Sequence, residues 1–233
     1  MGLFSRRRDD DTSESSNPDD AASEAPAETG TGPWDVADAP DRPGSVGRID
    51  LGSLRVPAVD GMQIRLENPG GAGQEISAAV LVLAGSTLEL RAFAAPRTIG
   101  IWEELREDIT AELTRARARF EVEDGEHGPE ILAHVPVRTP DGREGTVAAR
   151  FIGVDGPRWF LRGVLQGPAA TDEAASQVLR DVFADIVVVR DGAARPPREI
   201  LPLHAPGIVN APAAEDLPGL EPLEPGPTIA EVR

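Results

Sequence analysis

The sequence predicts an α+β domain: an antiparallel β-sheet with two main helices packed on one face, between long disordered N- and C-terminal tails. Three observations predict it. Between about residues 60 and 190 the apolar positions switch repeatedly between a two-residue and a four-residue period. The strand-like runs come in groups joined by short turns, which favours antiparallel pairing over parallel crossovers. Both ends are rich in proline and acids and lack apolar periodicity, so they cannot bury enough surface to offset chain entropy. The expected boundaries are 1–32 for an acidic tail, 33–205 for a single domain and 206–233 for a Pro-rich tail.

The elements follow in order. Met62 to Leu66 alternates as a half-buried strand does, and Ile76 to Leu83 is a more uniformly apolar run suited to a central strand. Gly85-Ser86 turns the chain into Thr87 to Phe93, completing a hairpin. After Pro96, residues Ile101, Leu105, Ile109, Leu113 and Ala116 recur every four beside Trp102. Glu103, Glu104, Glu107 and Asp108 come early and Arg115, Arg117 and Arg119 late, which suits the dipole of a helix. Strands are expected at Phe120–Glu123, Glu130–Arg138 and Thr146–Val154, the last two joined by the turn signal Thr139-Pro140-Asp141-Gly142. Asp155-Gly156-Pro157 turns the chain into Arg158 to Gln166. A second helix starts near Thr171 or Asp172 and buries Val178, Leu179, Val182 and Phe183, and Ile186 to Val189 forms a last short strand. From Pro196 the prolines return and extended, wandering chain is expected.

Charge narrows the partners. The chain has 233 residues with 23 basic and 40 acidic side chains, net −17, and every basic residue is Arg. No segment is basic overall, which disfavours nucleic acid, whose affinity comes mainly from phosphate neutralisation. The absence of Cys removes disulfide, thiolate and zinc-ribbon chemistry. Arg6-Arg7-Arg8 runs into Asp9-Asp10-Asp11 where a secretory signal needs an apolar stretch, and no apolar run is long enough to span a bilayer. A cytoplasmic location is expected, with at most a weak membrane contact through Leu3, Phe4 and the three arginines.

Catalytic signals are missing. His127, His134 and His204 have no metal-ligand spacing; His127 reads as a solvated turn residue and His134 as part of a strand. No serine sits in a Gly-x-Ser-x-Gly elbow. Gly70-Gly71-Ala72-Gly73 lacks the Lys and Ser or Thr that a phosphate loop needs. The acids Glu103, Glu104, Glu107 and Asp108 read as a solvated first turn. No catalytic residue, metal site or cofactor is expected.

Four strings, taken together, resemble a known family: Gly32-Pro33-Trp34-Asp35, Arg48-Ile49-Asp50-Leu51-Gly52-Ser53-Leu54, Ala94-Ala95-Pro96-Arg97-Thr98, and Gly153 through Arg162. They are similar to the actinobacterial proteins grouped as domain-of-unknown-function family 3710, over roughly Pro33 to His204. The resemblance implies an actinobacterial cytoplasm and attaches Trp34 and Asp35 to the domain. It implies no catalytic residues.

The expected function is that of a non-catalytic binding or adaptor domain engaging a protein partner. Its candidate surface is Arg150, Arg158, Phe160 and Arg162. This surface rests on a register across a three-residue loop 155–157, in which Trp159 faces Gly153 and Arg150 faces Arg162, so that an anion is needed between the two arginines. A two-residue loop of Asp155-Gly156 would instead set Phe151 opposite Phe160. The anion is either an acid of the protein itself or an acidic or phosphate-bearing partner. Two other classes compete: a small-ligand or nucleotide-handling enzyme without a linear motif, and a structural subunit of a larger assembly.

Overall fold

The computed structural model describes residues 32–40, 47–68, 75–97, 100–138 and 142–207. The expected tails apart from residues 32, 206 and 207, together with Gly70–Gly73 and most of the turn at Thr139–Gly142, lie outside these residues.

The α+β class and the antiparallel pairing are as expected. The large sheet has seven strands: β4 (Gln63–Glu67), β5 (Ala78–Leu83), β6 (Ser86–Ala94), β7 (Arg119–Gly125), β8 (Gly128–Arg138), β9 (Glu144–Gly156) and β10 (Trp159–Gln166). Their order is β4-β5-β6-β10-β9-β8-β7, antiparallel throughout. Two helices complete it: α1 (Trp102–Arg115), and α2 (Glu173–Ala184), whose N-cap Asp172 accepts a hydrogen bond from the Ala175 N–H. Val178, expected in the core, is exposed, and Ser176 takes its place on the inner face of α2 beside Leu179, Val182 and Phe183.

The helices do not share a face. Along β10, Trp159, Leu161 and Leu165 join one buried cluster with Leu179, Val182 and Phe183 of α2. Phe160, which points the other way, joins Trp102, Leu105 and Ile109 of α1. The physical reason is written in β10 itself: Trp159-Phe160-Leu161 and Val164-Leu165 are continuous apolar runs, the signature of a strand covered on both faces. Gly153 and Gly163 supply room at this crossing; a Cβ on the first would meet Trp102 and Phe160, and one on the second Ile152 and Phe183.

A second sheet was not expected. It consists of β1 (Trp34–Asp35), β2 (Arg48–Asp50), β3 (Leu54–Pro57) and β11 (Val187–Val188) in the order β1-β11-β3-β2, with β1 and β11 parallel. Leu54, Val56 and Val188 share the α2-side cluster. Residues 198–204 are also not wandering chain. Ala94 donates to the Glu199 carbonyl, Arg198 and Leu201 donate to Ala94 and Ala92, and Leu203 and His204 donate to Ile76 and Leu51. This segment continues the place of β5 alongside the end of β6, and buries Leu201 and Leu203.

The β9–β10 hairpin has neither of the two expected registers. Trp159 pairs with Gly156, Leu161 with Val154 and Arg162 with Gly153, leaving Pro157-Arg158 as the loop. Proline fixes the first loop residue and Arg158 takes a φ of 69°, the pattern of a type II turn. Asp155 and Gly156 therefore enter the strand.

Candidate functional site

With this register the four candidate residues fall into different places. Arg150 stands opposite Leu165 and Leu132 on the α2 face, while Phe160 and Arg162 lie on the α1 face and Arg158 in the turn. Arg162 does face another arginine, but it is Arg91 of β6 rather than Arg150. The anion is Glu89: its Oε1 is 3.1 Å from Arg162 Nη2 and 2.8 Å from Arg91 Nε. The Arg162 guanidinium also lies 5.8 Å from the centre of the Phe93 ring. Burial pulls the Arg162 pKa below the ordinary arginine value, and Glu89 opposes that shift. Phe160 is fully buried, stacked between Phe93 and Trp102 with ring centres 5.8 and 5.7 Å away.

On the other face a cleft of about 510 Å³ opens between the β7–β8 turn and α2. Arg150 and Arg180 line it, and both reach Glu130, whose side chain is 2% exposed. It accepts two hydrogen bonds from Arg180, both 2.7 Å, and a longer one of 3.4 Å from Arg150. Arg150 also donates to Glu123 at 2.8 Å and to the Ala170 carbonyl at 3.1 Å. The bonds from Arg180 to Glu130 raise the arginine pKa further and keep it charged. Sequence spacing could not reveal this group, because Glu130, Arg150 and Arg180 come from three separate elements. A Cβ at Gly125 would collide with the Glu130 carboxylate, so the glycine before the turn has a packing reason.

His127, expected in solvent, is half-buried and tilted against the Phe183 ring at 5.4 Å between centres. Burial lowers its pKa from 6.5, against the raising effect of Glu126 and Glu130, with Arg180 adding to the lowering. The neutral ring is favoured in the folded state, so the unfolded chain binds more protons once pH falls below 6.5. The His127 contribution is present above that pH and is lost as pH falls through the lowered folded value. Urea midpoints measured between about pH 7 and pH 5 should fall more steeply for the natural chain than for His127→Phe; equal slopes would remove His127 from the acid response.

The quoted strings have architectural work around the α1 end of the sheet. Trp159 Nε1 donates to Asp35 Oδ2 at 2.8 Å, tying the Gly-Pro-Arg-Trp turn to the Trp34-Asp35 strand. Asp155 accepts from the Ile101 N–H at 2.7 Å and from the Trp102 N–H at 3.2 Å, capping α1 from a neighbouring strand. Trp102 Nε1 in turn donates to the Pro129 carbonyl at 2.8 Å, next to Glu130. Arg48 Nη2 lies 2.6 Å from Asp185 just after α2.

A family model described as protein of unknown function, DUF3710, matches residues 32–211, which takes in all four strings. The chain belongs to this family. Among solved structures, the DUF3710 chain is similar to the solution structure of cyanobacterial PsbP (CyanoP) from Synechocystis sp. PCC 6803. The identity is 13% and the TM-score 0.34, with 64% of this chain and 98% of that chain covered. No curated protein matches the sequence.

One further grouping in the DUF3710 domain involves Arg158. The sequence contains three Pro-Arg dipeptides, Pro96-Arg97, Pro157-Arg158 and Pro197-Arg198. All three meet at the end of β6: the Ala95 N–H donates to the Arg158 carbonyl, and Arg198 donates to the Ala94 carbonyl from the other side. Arg198 reaches Asp108 of α1 at 2.6 Å. Among the described residues no ion pair or side-chain hydrogen bond engages Arg97 or Arg158, and Glu103 and Glu104 of the α1 first turn pair with neither. The repeated dipeptide was visible in the sequence, but not that its copies converge.

No helix among the described residues is long and apolar enough to cross a membrane. No group of three or more acidic or histidine side chains among them is arranged to hold a metal ion.

Proposed function

We propose that this domain is a non-catalytic binding module that takes an acidic segment of a partner protein on the arginine cluster Arg97, Arg158 and Arg198. The observation that carries the reading is the convergence of the three Pro-Arg turns on one end of one strand. Arg158 and Arg198 both hold a φ of 69°, a left-handed conformation that costs a residue with a Cβ about 1–2 kcal/mol and that glycine would adopt freely. Cations on turns at a sheet end, Arg97 and Arg198 exposed and Arg158 half-buried, two of them without a counter-ion among the described residues, offer charge complementarity to carboxylates and little to an apolar partner.

Of the four residues expected to form the surface, Arg158 belongs to this cluster. Arg150 and Arg162 have acids of the protein beside them, and Phe160 is out of reach of a partner. Small-ligand handling has one observation in its favour, the volume of the cleft beside α2. Arg150 and Arg180 are already engaged there with Glu130, so an anionic ligand would have to displace an internal carboxylate.

A fluorescent decapeptide of alternating Asp and Glu, titrated into the full chain, tests the proposal. Binding should weaken with salt, as contacts between exposed charges do. Arg97→Glu with Arg158→Glu should weaken it by about tenfold or more with the melting temperature unchanged. Equal binding by the double variant would refute the assignment.

A further inference from the structure

A second group of cations lies far from the Pro-Arg turns, at the opposite end of the large sheet. The periodicity places Arg117 and Arg119 on the last turn of a helix, but α1 ends at Arg115. Arg117 then takes a φ of 55°, and Arg119 opens β7. In β7–β8 pairing Arg119 is directly opposite His134, and in β8–β9 pairing Pro136 is opposite Thr146. Residues directly opposite on antiparallel strands project from the same face with Cβ atoms about 5 Å apart. Arg117, Arg119, His134, Pro136 and Thr146 line a hollow of about 460 Å³ with no carboxylate among its described lining residues; Glu144 lines an adjoining hollow that shares Arg117, Pro136 and Thr146.

That lining is unusual in a chain with 40 acids and 23 bases. The arginines of the buried groups at Glu130 and Glu89 have acids beside them, yet among the described residues no ion pair or side-chain hydrogen bond engages Arg117 or Arg119. Glu121 is on the same face two residues beyond Arg119 but does not line the hollow, and Glu144 lies 4.0 Å from Arg138. Two guanidiniums, an imidazole and a hydroxyl thus line one hollow, and among the described residues no side-chain hydrogen bond engages them. The left-handed Arg117 is the residue that closes α1: its N–H bonds the Thr114 carbonyl and the Ala118 N–H the Leu113 carbonyl, so the helix end fixes the backbone from which this guanidinium extends.

We propose that this hollow binds a phosphate group. A phosphate monoester has close to two negative charges and three terminal acceptor oxygens, enough to engage both guanidiniums together with Thr146 or His134. A carboxylate has one charge and two oxygens and would leave a guanidinium uncompensated. The phosphate can come from a phosphorylated side chain of a partner or from a small phosphate ester. The site is independent of the acidic-segment cluster, since it shares no residue with it.

Nitrogen-15 NMR titrations of the full chain with inorganic phosphate, a phosphoserine pentapeptide and glycerol phosphate test this at constant ionic strength. Saturable shifts of the Arg117 and Arg119 Nε–H signals are expected. They should weaken about tenfold or more in Arg117→Ala with Arg119→Ala, and persist in Arg97→Glu with Arg158→Glu. Tighter binding of the phosphopeptide would identify a partner's side chain as the source, and tighter binding of glycerol phosphate a small ester. Should the arginine pair prove needed for folding, Arg117→Gly, which relieves the left-handed backbone, and Arg119→Gln give the same readout singly. Shifts that never saturate, or saturate equally without the two arginines, or vanish instead with Arg97 and Arg158, overturn the proposal.

Discussion

Glu130→Ala is expected to destabilise the domain by about 3–5 kcal/mol, which for a domain of this size lowers the melting temperature by roughly 10 °C. The carboxylate is 2% exposed and has two guanidiniums within 3.4 Å. Removing it leaves Arg150 and Arg180, 15% and 13% exposed, without their shared buried counter-charge. Arg150 keeps partial compensation from Glu123, so Arg180 loses more. Urea unfolding gives the number. The combination Glu130→Leu, Arg150→Met and Arg180→Met should recover most of the loss, because a packed apolar group of similar size is often as stable as a buried ion cluster. A loss below about 1 kcal/mol for Glu130→Ala would mean that water reaches the arginines and that the cluster contributes little.

Phe160→Ala should be comparably damaging, about 3–5 kcal/mol, because it empties the stacked position between Phe93 and Trp102. Phe160→Leu should cost clearly less, since it refills most of the volume and loses the ring contacts. Urea unfolding and near-ultraviolet circular dichroism measure both. Phe160→Leu should also leave acidic-peptide binding unchanged, because the ring is buried and lies outside the Pro-Arg cluster. If it weakened that binding without lowering stability, Phe160 would have to be reachable by the partner.

The long elements were legible because each repeats its pattern several times. α1 shows a stripe from Ile101 to Leu113, β5 is a uniformly apolar run before the Ala84-Gly85 turn, and β6 alternates strictly after it. Most of the small sheet was not legible: Trp34–Asp35 and Arg48–Asp50 are too short to show any period, and the strand expected at Ile186–Val189 and found at Val187–Val188 carried no sign of its partners. Nor was the docking of 198–204. Its bonds to Ala92 and Ala94 use backbone groups, and Pro196, Pro197 and Pro202 gave the stretch the composition of a linker. The placement of the helices turned on one misjudged strand: Phe160 was assigned to a charged face, whereas Trp159-Phe160-Leu161 is apolar in both directions. The hairpin register slipped because Asp155 and Gly156 have the composition of a turn. In the fold, Asp155 is held in the strand by the amides of α1, and Gly156 is required by the ring of Trp159 packed across it. Of the candidate residues only Arg158 lies in the proposed protein-binding cluster. The remainder of that cluster depends on contacts between residues 94 and 198, which local pattern cannot supply.

The parallel pairing of β1 with β11 joins Trp34 to Val187, and His204 closes onto Leu51. Neither the β1 edge nor the central β11–β3 pairing of the small sheet can form until nearly all of the described chain has been synthesised. During translation the early strands Arg48–Asp50 and Leu54–Pro57 must wait with only each other as partners, and a lone pair of short strands is marginal in water. Completion of the domain is therefore a late event set by the arrival of residues 187–204, and the many sequence-distant pairings place it among slowly folding topologies. A nascent chain stalled before Val187 would carry helix α2 with its apolar stripe at Leu179, Val182 and Phe183 before Val188, Leu201 and Leu203 had arrived to complete their buried cluster.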